Sequence, residues 1–248
     1  MQGMGLLPRS PLVIANRVLH KIGQNELCWT LLSQCQVEQQ PIVQPAIYSM
    51  LKFAVHPMRA TDGDIVSYME GDPERPHPAW DLNHAVHSAR GPVGAKYVLH
   101  SHDDISLKFS TVDRTIRPLI QDSIYFCNVG HASETRMLTH KPEEGYNVLA
   151  QQIEQHPHAI AANLLGHGSI VWGRTIAETV MRMHYLRRSI VVQLTAETLG
   201  TKDMTLNEYP SELVVELRRG LEEDEEYGGM QPEYDYLLAE HDLDGFVP

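Results

Sequence analysis

Cysteine, the large aromatic residues and long apolar runs are all scarce in this chain of 248 residues, which has three Cys, three Trp and four Phe. Cys28, Cys35 and Cys127 form no CxxC pair, and bridging two of them would leave one over. Neither a disulfide framework nor a cysteine metal site is therefore predicted. No apolar run approaches the roughly 20 residues that cross a bilayer, and the amino terminus lacks the basic-then-apolar order of a secretory signal. We expect a cytoplasmic protein with no membrane partner.

Positive charge is also in short supply. Lys and Arg number 20 against 32 Asp and Glu, which gives a formal net charge of −12. Such a field repels the phosphate backbone of nucleic acids and anionic lipid surfaces. Hydrophobic residues at 42% and charged residues at 21% are ordinary for a folded globular protein. The composition therefore predicts a single large domain that has no nucleic-acid partner.

Hydrophobic periodicity predicts strands that alternate with helices. Apolar residues three or four positions apart indicate helices over 14–36 (interrupted near Gly23), 81–90, 105–110, 144–155 and 175–199. Short apolar runs bounded by turns indicate strands at 65–69, 97–99, 123–129, 159–165 and 170–172. Alternation of this kind is typical of an α/β domain and by itself favours a parallel sheet.

Histidine is abundant, with fourteen copies, and three of them are placed as metal ligands. His100 and His102 follow the predicted strand at 97–99, and residues two apart on a strand share a face, so their imidazoles can converge. His167 lies between two glycines directly after another apolar run, where small neighbours permit close approach. Three neutral imidazoles leave one coordination position open, as a catalytic ion requires. The pattern predicts one divalent metal ion.

The sequence around these histidines resembles a known family. DLNHAVHSARGPVGAKYVL precedes the H-S-H of 100–102, and LLGHGSIVWGRTIAETV contains His167 in an "H-G, four residues, G" arrangement. This text, within residues 58–200, is similar to the class II aldolase/adducin family. The resemblance implies a three-layer α/β/α sandwich around a central, mainly antiparallel sheet, assembled as a homotetramer.

Two parts of the chain are distinguished on this basis. Residues 1–207 are assigned to a class II aldolase/adducin-like metal-binding domain, and residues 208–248 to an acidic C-terminal tail that could pack on a neighbouring subunit. The run from Glu222 to Glu226 is expected to be solvated and weakly ordered, as most runs of like charge are.

The resemblance also indicates further site residues. It implies a catalytic carboxylate nineteen positions before His100, which is Asp81, as proton-transfer group or displaceable fourth ligand; the N-cap of the helix over 82–90 is an equal alternative. Tyr125 and Tyr227 lie roughly where family members place proton-donating tyrosines, although Tyr125 also suits the core. Outside the recognised motifs, Arg114, Arg117 and Arg136 could bind a substrate carboxylate by bidentate hydrogen bonds, or be ordinary surface residues. His131 could contact the substrate or support a ligand, or be an ordinary loop histidine.

The chain departs from the family's sugar-phosphate enzymes in two loops. It has neither an early "G-N-x-S" loop nor a later Ser/Thr-Gly turn to cradle phosphate; the corresponding stretches read QCQVEQQPIVQPAIYSM and MRATDGD. Without a cradle, and with a net charge of −12, the expected substrate is a non-phosphorylated small molecule such as an oxo or hydroxy acid.

The expected reaction is cleavage of a carbon–carbon bond, by decarboxylation or retro-aldol cleavage through a metal-stabilised enolate. Zinc is the expected ion, with manganese or iron as alternatives. Two other functions stay open: an iron-dependent oxygenase of an aromatic or keto acid in a natural-product pathway, and a non-catalytic adducin-like interaction module.

Overall fold

A seven-stranded sheet forms the middle layer of the computed structural model, in the spatial order β3-β2-β1-β4-β7-β6-β5. The structure describes residues 11–24, 30–34, 54–59, 65–69, 80–130, 134–200, 205–226 and 229–241. Within these ranges the strands are β1 (Leu31–Gln34), β2 (Ala54–Arg59), β3 (Ile65–Met69), β4 (Tyr97–Ser101), β5 (Met137–His140), β6 (Ala161–Leu164) and β7 (Gly168–Gly173).

The sheet is antiparallel at every pairing except β5 with β6. The mainly antiparallel sheet implied by the family resemblance is confirmed, whereas the parallel sheet favoured by the alternation of strands and helices is wrong. The short connection between β6 and β7 explains the difference, because a three-residue turn over 165–167 permits only an antiparallel hairpin. Periodicity identifies strands but carries no information on their direction.

Helices cover both faces of this sheet. They are α1 (Pro11–Lys21), α2 (Trp80–Gly94), α3 (Asp104–Ser110), α4 (Tyr146–Gln155), α5 (Ile176–Leu199), α6 (Ser211–Glu226) and α7 (Gln231–Glu240), with short 3-10 helices at Gln121–Tyr125 and Pro142–Glu144. Side chains on β4 alternate between the layers: Val98 packs with α2 and α4, whereas Leu99 packs with α1, α3, α5 and α7. The three-layer α/β/α arrangement follows from this period of two.

Two predicted elements are wrong in type. Only the first part of the helix predicted over 14–36 is helical, because α1 ends at Lys21, before Gly23 with its φ of 68°. Leu31 and Leu32 lie in β1, and residues 25–29 are outside the described ranges. The strand expected at 123–129 begins as the 3-10 helix Gln121–Tyr125, and the strand of this region is β5. The apolar residues of both stretches are buried in the core. For such short apolar runs, periodicity alone does not distinguish a buried helix from a buried strand.

The C-terminal segment is helical and packs on the rest of the chain. Val214 of α6 is buried against Ile124 and Cys127, and α7 contributes Tyr234 and Leu238 to the core that contains α5. The prediction that the run over 222–226 is weakly ordered is therefore wrong, because this run is the last part of α6. One face of α6 is apolar and buried, and this burial stabilises the helix although its other face is acidic.

A buried polar network fixes α2 against the two strands that lead to the predicted metal site. Asn83 donates from Nδ2 to the Val98 carbonyl at 3.3 Å and to Ser33 Oγ at 2.8 Å. His87, 3% exposed, donates from Nδ1 to the Ala95 carbonyl at 2.8 Å and accepts from Ser33 Oγ through Nε2 at 2.8 Å. Both nitrogens of the neutral ring are satisfied, so His87 is stable only without its second proton.

This network predicts acid sensitivity. Burial lowers the pKa of His87 to about 4, while its hydrogen bond to Ala95 acts in the opposite direction. A histidine in the unfolded chain titrates near 6.5, so between about pH 6.5 and 4 the unfolded state binds the additional proton. The free energy of unfolding therefore rises with pH across this window, with the full contribution of His87 present above it.

We expect urea unfolding of wild type and His87→Gln to show this dependence. The variant is less stable at pH 7.5, and the gap between the two proteins narrows by a few kcal/mol as the pH falls toward 4, since wild type alone loses the contribution of His87. A gap that stays constant from pH 7.5 to 4.5 would show that His87 is not held neutral by the fold.

Among the residues that the structure describes, no helix combines the length and apolar character needed to cross a bilayer.

Candidate metal centre

Three histidines meet at one end of the sheet. The possible ligand atoms of His100, His102 and His167 all lie within 4.8 Å of one another. Their ring centroids are 4.6 Å apart for His100 and His102, 5.3 Å for His100 and His167, and 4.5 Å for His102 and His167. His100 is buried and the other two are half-buried, so one side of the group stays accessible to a small molecule.

His100 is oriented by the strand pairing of β4 with β7. The two strands pair His100 with Ile170 and Ser101 with Ser169. His100 Nδ1 lies 3.1 Å from the Ser169 carbonyl oxygen, which can only accept, so Nδ1 carries the proton and Nε2 is the nitrogen with a lone pair. A backbone carbonyl that fixes the tautomer in this way is a typical outer-shell partner of a metal-binding histidine.

His102 is held by the turn between β4 and α3. The next residue, Asp103, is fully buried and caps α3 by accepting hydrogen bonds from the Ile105 and Ser106 amides at 3.1 and 3.2 Å. Its carboxylate also accepts from Ser106 Oγ and lies 3.4 Å from Arg187 Nε of α5. Since both oxygens of Asp103 are engaged, the backbone that presents His102 is fixed to α3 and α5.

His167 lies at the tip of the β6–β7 hairpin, which is clamped to the C-terminal end of α3. Ser110 accepts a hydrogen bond from the Gly166 amide through its carbonyl at 2.8 Å and from the Gly168 amide through Oγ at 3.3 Å. Gly168 has φ 110°, and a Cβ there would lie 2.3 Å from the Ser101 carbonyl oxygen. Only glycine therefore lets the hairpin approach β4 closely enough to bring His167 beside the other two rings.

The donor set fits a divalent transition-metal ion. Zinc holds imidazole nitrogens at about 2.0–2.1 Å, and donor atoms spaced up to 4.8 Å need only small side-chain rotations to surround one ion. Burial lowers the pKa of His167, which favours the neutral ring that can act as a ligand. Three imidazoles and an accessible side would leave a position for a substrate oxygen.

The remaining predicted site residues lie in different surroundings. Asp81 is exposed in the first turn of α2, which begins at Trp80, so Asp81 lies inside the helix rather than at its N-cap. Tyr125 is 8% exposed at the end of a 3-10 helix, with its ring stacked on Tyr185 at 5.6 Å. His131 and Tyr227 lie outside the described residues.

The three predicted substrate-binding arginines form ion pairs with carboxylates of α5, α6 and the segment between them. Arg114 Nη1 lies 2.7 Å from Glu197, Arg136 Nη1 lies 2.8 Å from Glu222, and Arg117 pairs with Glu208. To grip a substrate carboxylate, each arginine would first have to exchange or share its present partner. Their role in substrate binding stays a prediction. In this structure Arg117 and Arg136 attach the C-terminal segment to the domain, whereas Arg114 pairs within the domain with α5.

Sequence reasoning missed the residues that position the ligands. Asp103 and Ser110 hydrogen-bond to the segments that carry the histidines, and Arg187 pairs with the carboxylate of Asp103. Asp103 had a recognisable signal, because an aspartate directly before a short amphipathic segment is a typical N-cap. Ser110 and Arg187 had none, since both act across contacts between elements distant in the sequence.

Asp103→Ala is expected to weaken metal binding at least about tenfold and to destabilise the fold by about 1–2 kcal/mol, since it removes the cap and releases the turn that carries His102. Asp103→Asn keeps a cap acceptor and should recover most of the stability. Competition with a chromogenic chelator and thermal unfolding measure the two effects.

Asp104→Ala is the matched control for Asp103. Asp104 is the adjacent exposed carboxylate, paired with Lys108 at 2.8 Å, and its loss should cost at most about 0.5 kcal/mol and leave metal affinity unchanged. Equal metal affinity in Asp103→Ala and Asp104→Ala would show that Asp103 does not position His102.

The sequence model of the "Class II Aldolase and Adducin N-terminal domain" matches residues 11–194, well over half of the chain. The chain belongs to the class II aldolase and adducin family. The sequence of this family member matches no curated protein.

Solved structures share the fold of this family member along nearly its whole length. An aldolase II superfamily protein from Pseudomonas syringae superposes with a TM-score of 0.68 at 18% identity, covering 99% of this chain and 96% of the other. An L-fuculose 1-phosphate aldolase from Glaciozyma antarctica PI12 gives a TM-score of 0.67 at 19% identity, covering 98% and 92%. At these identities the likeness establishes the fold, including the part of the chain beyond residue 194.

Proposed function

We propose that the protein is a metal-dependent lyase that cleaves a carbon–carbon bond in a non-phosphorylated oxo or hydroxy acid, by decarboxylation or retro-aldol cleavage. The observation that carries the proposal is the convergence of His100, His102 and His167 within 4.8 Å. Membership of the class II aldolase family supports the coarser assignment, a metal-dependent lyase of the aldolase, epimerase or decarboxylase type. An adducin-like module without turnover has no need of converging ligands, so the geometry favours an enzyme.

The chain's own residues would divide the work as follows. His100, His102 and His167 would hold one divalent ion, which when bound supplies Lewis-acid stabilisation of negative charge developing on a substrate oxygen. Asp81, exposed in the first turn of α2, would transfer a proton to or from the substrate carbon or oxygen. Tyr227, which the family resemblance indicates as a proton-donating tyrosine, belongs to the same proposal.

The proposed substrate class rests on the absence from the sequence of a phosphate cradle. The two stretches that would supply one, 34–50 and 58–64, lie largely outside the described residues, so this part of the proposal depends on their sequence. The solved aldolase from Glaciozyma antarctica acts on a phosphorylated sugar according to its name. The proposal therefore separates this chain from that relative in substrate while keeping the bond-cleaving chemistry.

We further propose zinc as the ion, a homotetramer as the assembly and the cytoplasm as the location. Imidazole ligands suit zinc and also iron, and a three-nitrogen set without a carboxylate favours zinc over the two-histidine, one-carboxylate set typical of iron oxygenases. The tetramer follows the family resemblance.

Metal analysis combined with product detection tests the proposal. Purified protein is expected to hold one zinc or manganese per chain, and incubation with a panel of oxo and hydroxy acids to release carbon dioxide or an aldehyde without oxygen uptake. Bound iron with oxygen consumption would contradict the lyase and support the oxygenase. A protein that takes up no metal would contradict both enzymes and support the non-catalytic module.

Asp81→Asn is expected to keep full metal content and lower turnover by about 100- to 10,000-fold, the usual contribution of a general acid or base. Glu212→Gln, which changes an exposed carboxylate in the first turn of α6, is the matched control and should leave the rate unchanged. If both variants turned over substrate at the wild-type rate, Asp81 would have only a structural role in the first turn of α2.

A further inference from the structure

A row of polar side chains crosses the sheet at the end that carries the three histidines. The strand registers align Ser101 of β4 with Ser169 of β7, Ser169 with Asn163 of β6, and Asn163 with Thr139 of β5. Each of the four lies two positions from an apolar residue of the core that also contains α3 and α5; these residues are Leu99, Val171, Ala161 and Met137. Because side chains two apart on a strand share a face, the polar row points toward the layer of α3 and α5.

Two members of the row, Asn163 and Ser169, are completely buried, each with an exposed fraction of 0%. Asn163 Nδ2, Asn163 Oδ1 and Ser169 Oγ form no hydrogen bond with any residue that the structure describes. A buried donor or acceptor without a partner is costly, and nearly all such groups in folded proteins bind either protein or ordered water. The pair therefore indicates a small polar ligand between them.

The helix that packs on β6 and β7 here, α3, has its hydroxyl hydrogens engaged elsewhere. Ser110 Oγ donates to the Leu107 carbonyl at 2.8 Å and accepts from the Gly168 amide at 3.3 Å, and Ser106 Oγ donates to Asp103. A direct bond between Asn163 and Ser169 would also be insufficient, because an amide side chain has two donor hydrogens and an acceptor oxygen to satisfy.

We propose that a buried water molecule bridges Asn163 and Ser169 and thereby holds the β6–β7 hairpin in the position that presents His167. A water molecule both donates and accepts, and buried waters typically make about three hydrogen bonds to groups of this kind. It can therefore accept from Asn163 Nδ2 and donate to Ser169 Oγ at the same time.

The position of this pair connects the water to the metal centre. Asn163 and Ser169 face each other across the hairpin whose turn, 165–167, carries His167. The backbone carbonyl of Ser169 also accepts from His100 Nδ1 at 3.1 Å. Asn163 and Ser169 are thus positioning residues, which act on two of the ligands through the backbone and touch no ion.

A high-resolution crystal structure of the wild-type protein tests the water directly. One ordered water molecule is expected about 2.7–3.2 Å from Ser169 Oγ and from an amide atom of Asn163. Crystals of Asn163→Leu, in which the side chain has a similar size but no polar atom, should lack this water. Thr139→Val is the matched control, because Thr139 is a half-buried member of the same row, and it should keep the water.

Thermal unfolding of the metal-free protein distinguishes a hydrated site from a dry one. If water bridges the pair, Asn163→Leu leaves Ser169 Oγ with fewer partners, and the thermal midpoint should fall by about 2–8 °C. In a dry site the same change would remove two unsatisfied buried atoms, and the midpoint would rise. Thr139→Val should shift it by at most about 2 °C.

Zinc affinity tests the positioning role separately from stability. Asn163→Leu should weaken zinc binding about tenfold, the lower range for loss of an outer-shell contact. Val214→Ala is the control for stability alone, since Val214 is buried with Ile124 and Cys127 in a cluster that includes no strand residue. It should lower the thermal midpoint and leave zinc affinity unchanged.

None of these measurements uses a substrate, so their outcome is independent of the proposed lyase activity. Three results would overturn the proposal. They are a wild-type crystal structure in which Asn163 and Ser169 bind only protein atoms, a higher thermal midpoint for Asn163→Leu than for wild type, or a zinc affinity of Asn163→Leu that equals that of Val214→Ala.

Discussion

His102→Ala is expected to lose metal binding while the fold stays intact. The ring of His102 lies 4.6 Å from that of His100 and 4.5 Å from that of His167, so its removal leaves two imidazoles on one side of the site. Loss of an outer-shell partner typically costs 10- to 100-fold in affinity, and loss of a ligand itself should exceed about 100-fold. His102 is half-buried, so few packing contacts are lost with it.

The measurement is zinc content after dialysis, together with the far-ultraviolet circular dichroism spectrum and the thermal midpoint of the metal-free protein. His84→Ala is the matched control, since His84 is an exposed histidine of α2 and should leave zinc content unchanged. A His102→Ala protein that retained one zinc per chain would remove His102 from the ligand set.

Gly168→Ala is expected to have the largest effect on stability and to disrupt the metal site with it. The new Cβ would lie 2.3 Å from the Ser101 carbonyl oxygen, and φ 110° is a conformation that L side chains rarely adopt. Since the obstacle is backbone rather than a flexible side chain, the hairpin must move away from β4. We expect a loss of at least about 3 kcal/mol in the free energy of unfolding and a displaced His167.

Gly166→Ala provides a control in the same hairpin turn. Gly166 also has a positive φ, of 68°, but a Cβ there has no atom within 4 Å. Its replacement should cost only the left-handed penalty of about 1–2 kcal/mol and keep the zinc. Similar losses in the two variants, in stability and in metal affinity, would show that the approach of Gly168 to Ser101 is not what seats His167.

The ligand set is predictable from the sequence because each part of it follows from a local rule. The alternation of side chains on a strand places His100 and His102 together, and the glycines beside His167 indicate a tight turn. The long helix α5 is equally predictable, since Thr175 caps it by accepting from the Glu178 amide at 3.0 Å and Gly200 follows its last residue.

The supports of the site depend on contacts between segments that are distant in the sequence. Arg187 of α5 pairs with Asp103, which lies 84 residues earlier in the chain. The acidic segment over 222–226 shows the same limit: its charges are visible in the sequence, whereas its helical form depends on the apolar face that it packs against Ile124 and Cys127. Composition describes what a segment carries and not what it contacts.

Anomalous diffraction at the zinc edge, from crystals of the zinc-loaded protein, tests the central claim directly. One peak per chain is expected, about 2.0–2.1 Å from Nε2 of His100 and from one ring nitrogen each of His102 and His167, with a fourth position facing the solvent side. A peak bound elsewhere, or three imidazoles that stay apart at saturating zinc, would contradict the account and leave only the fold and the family membership standing.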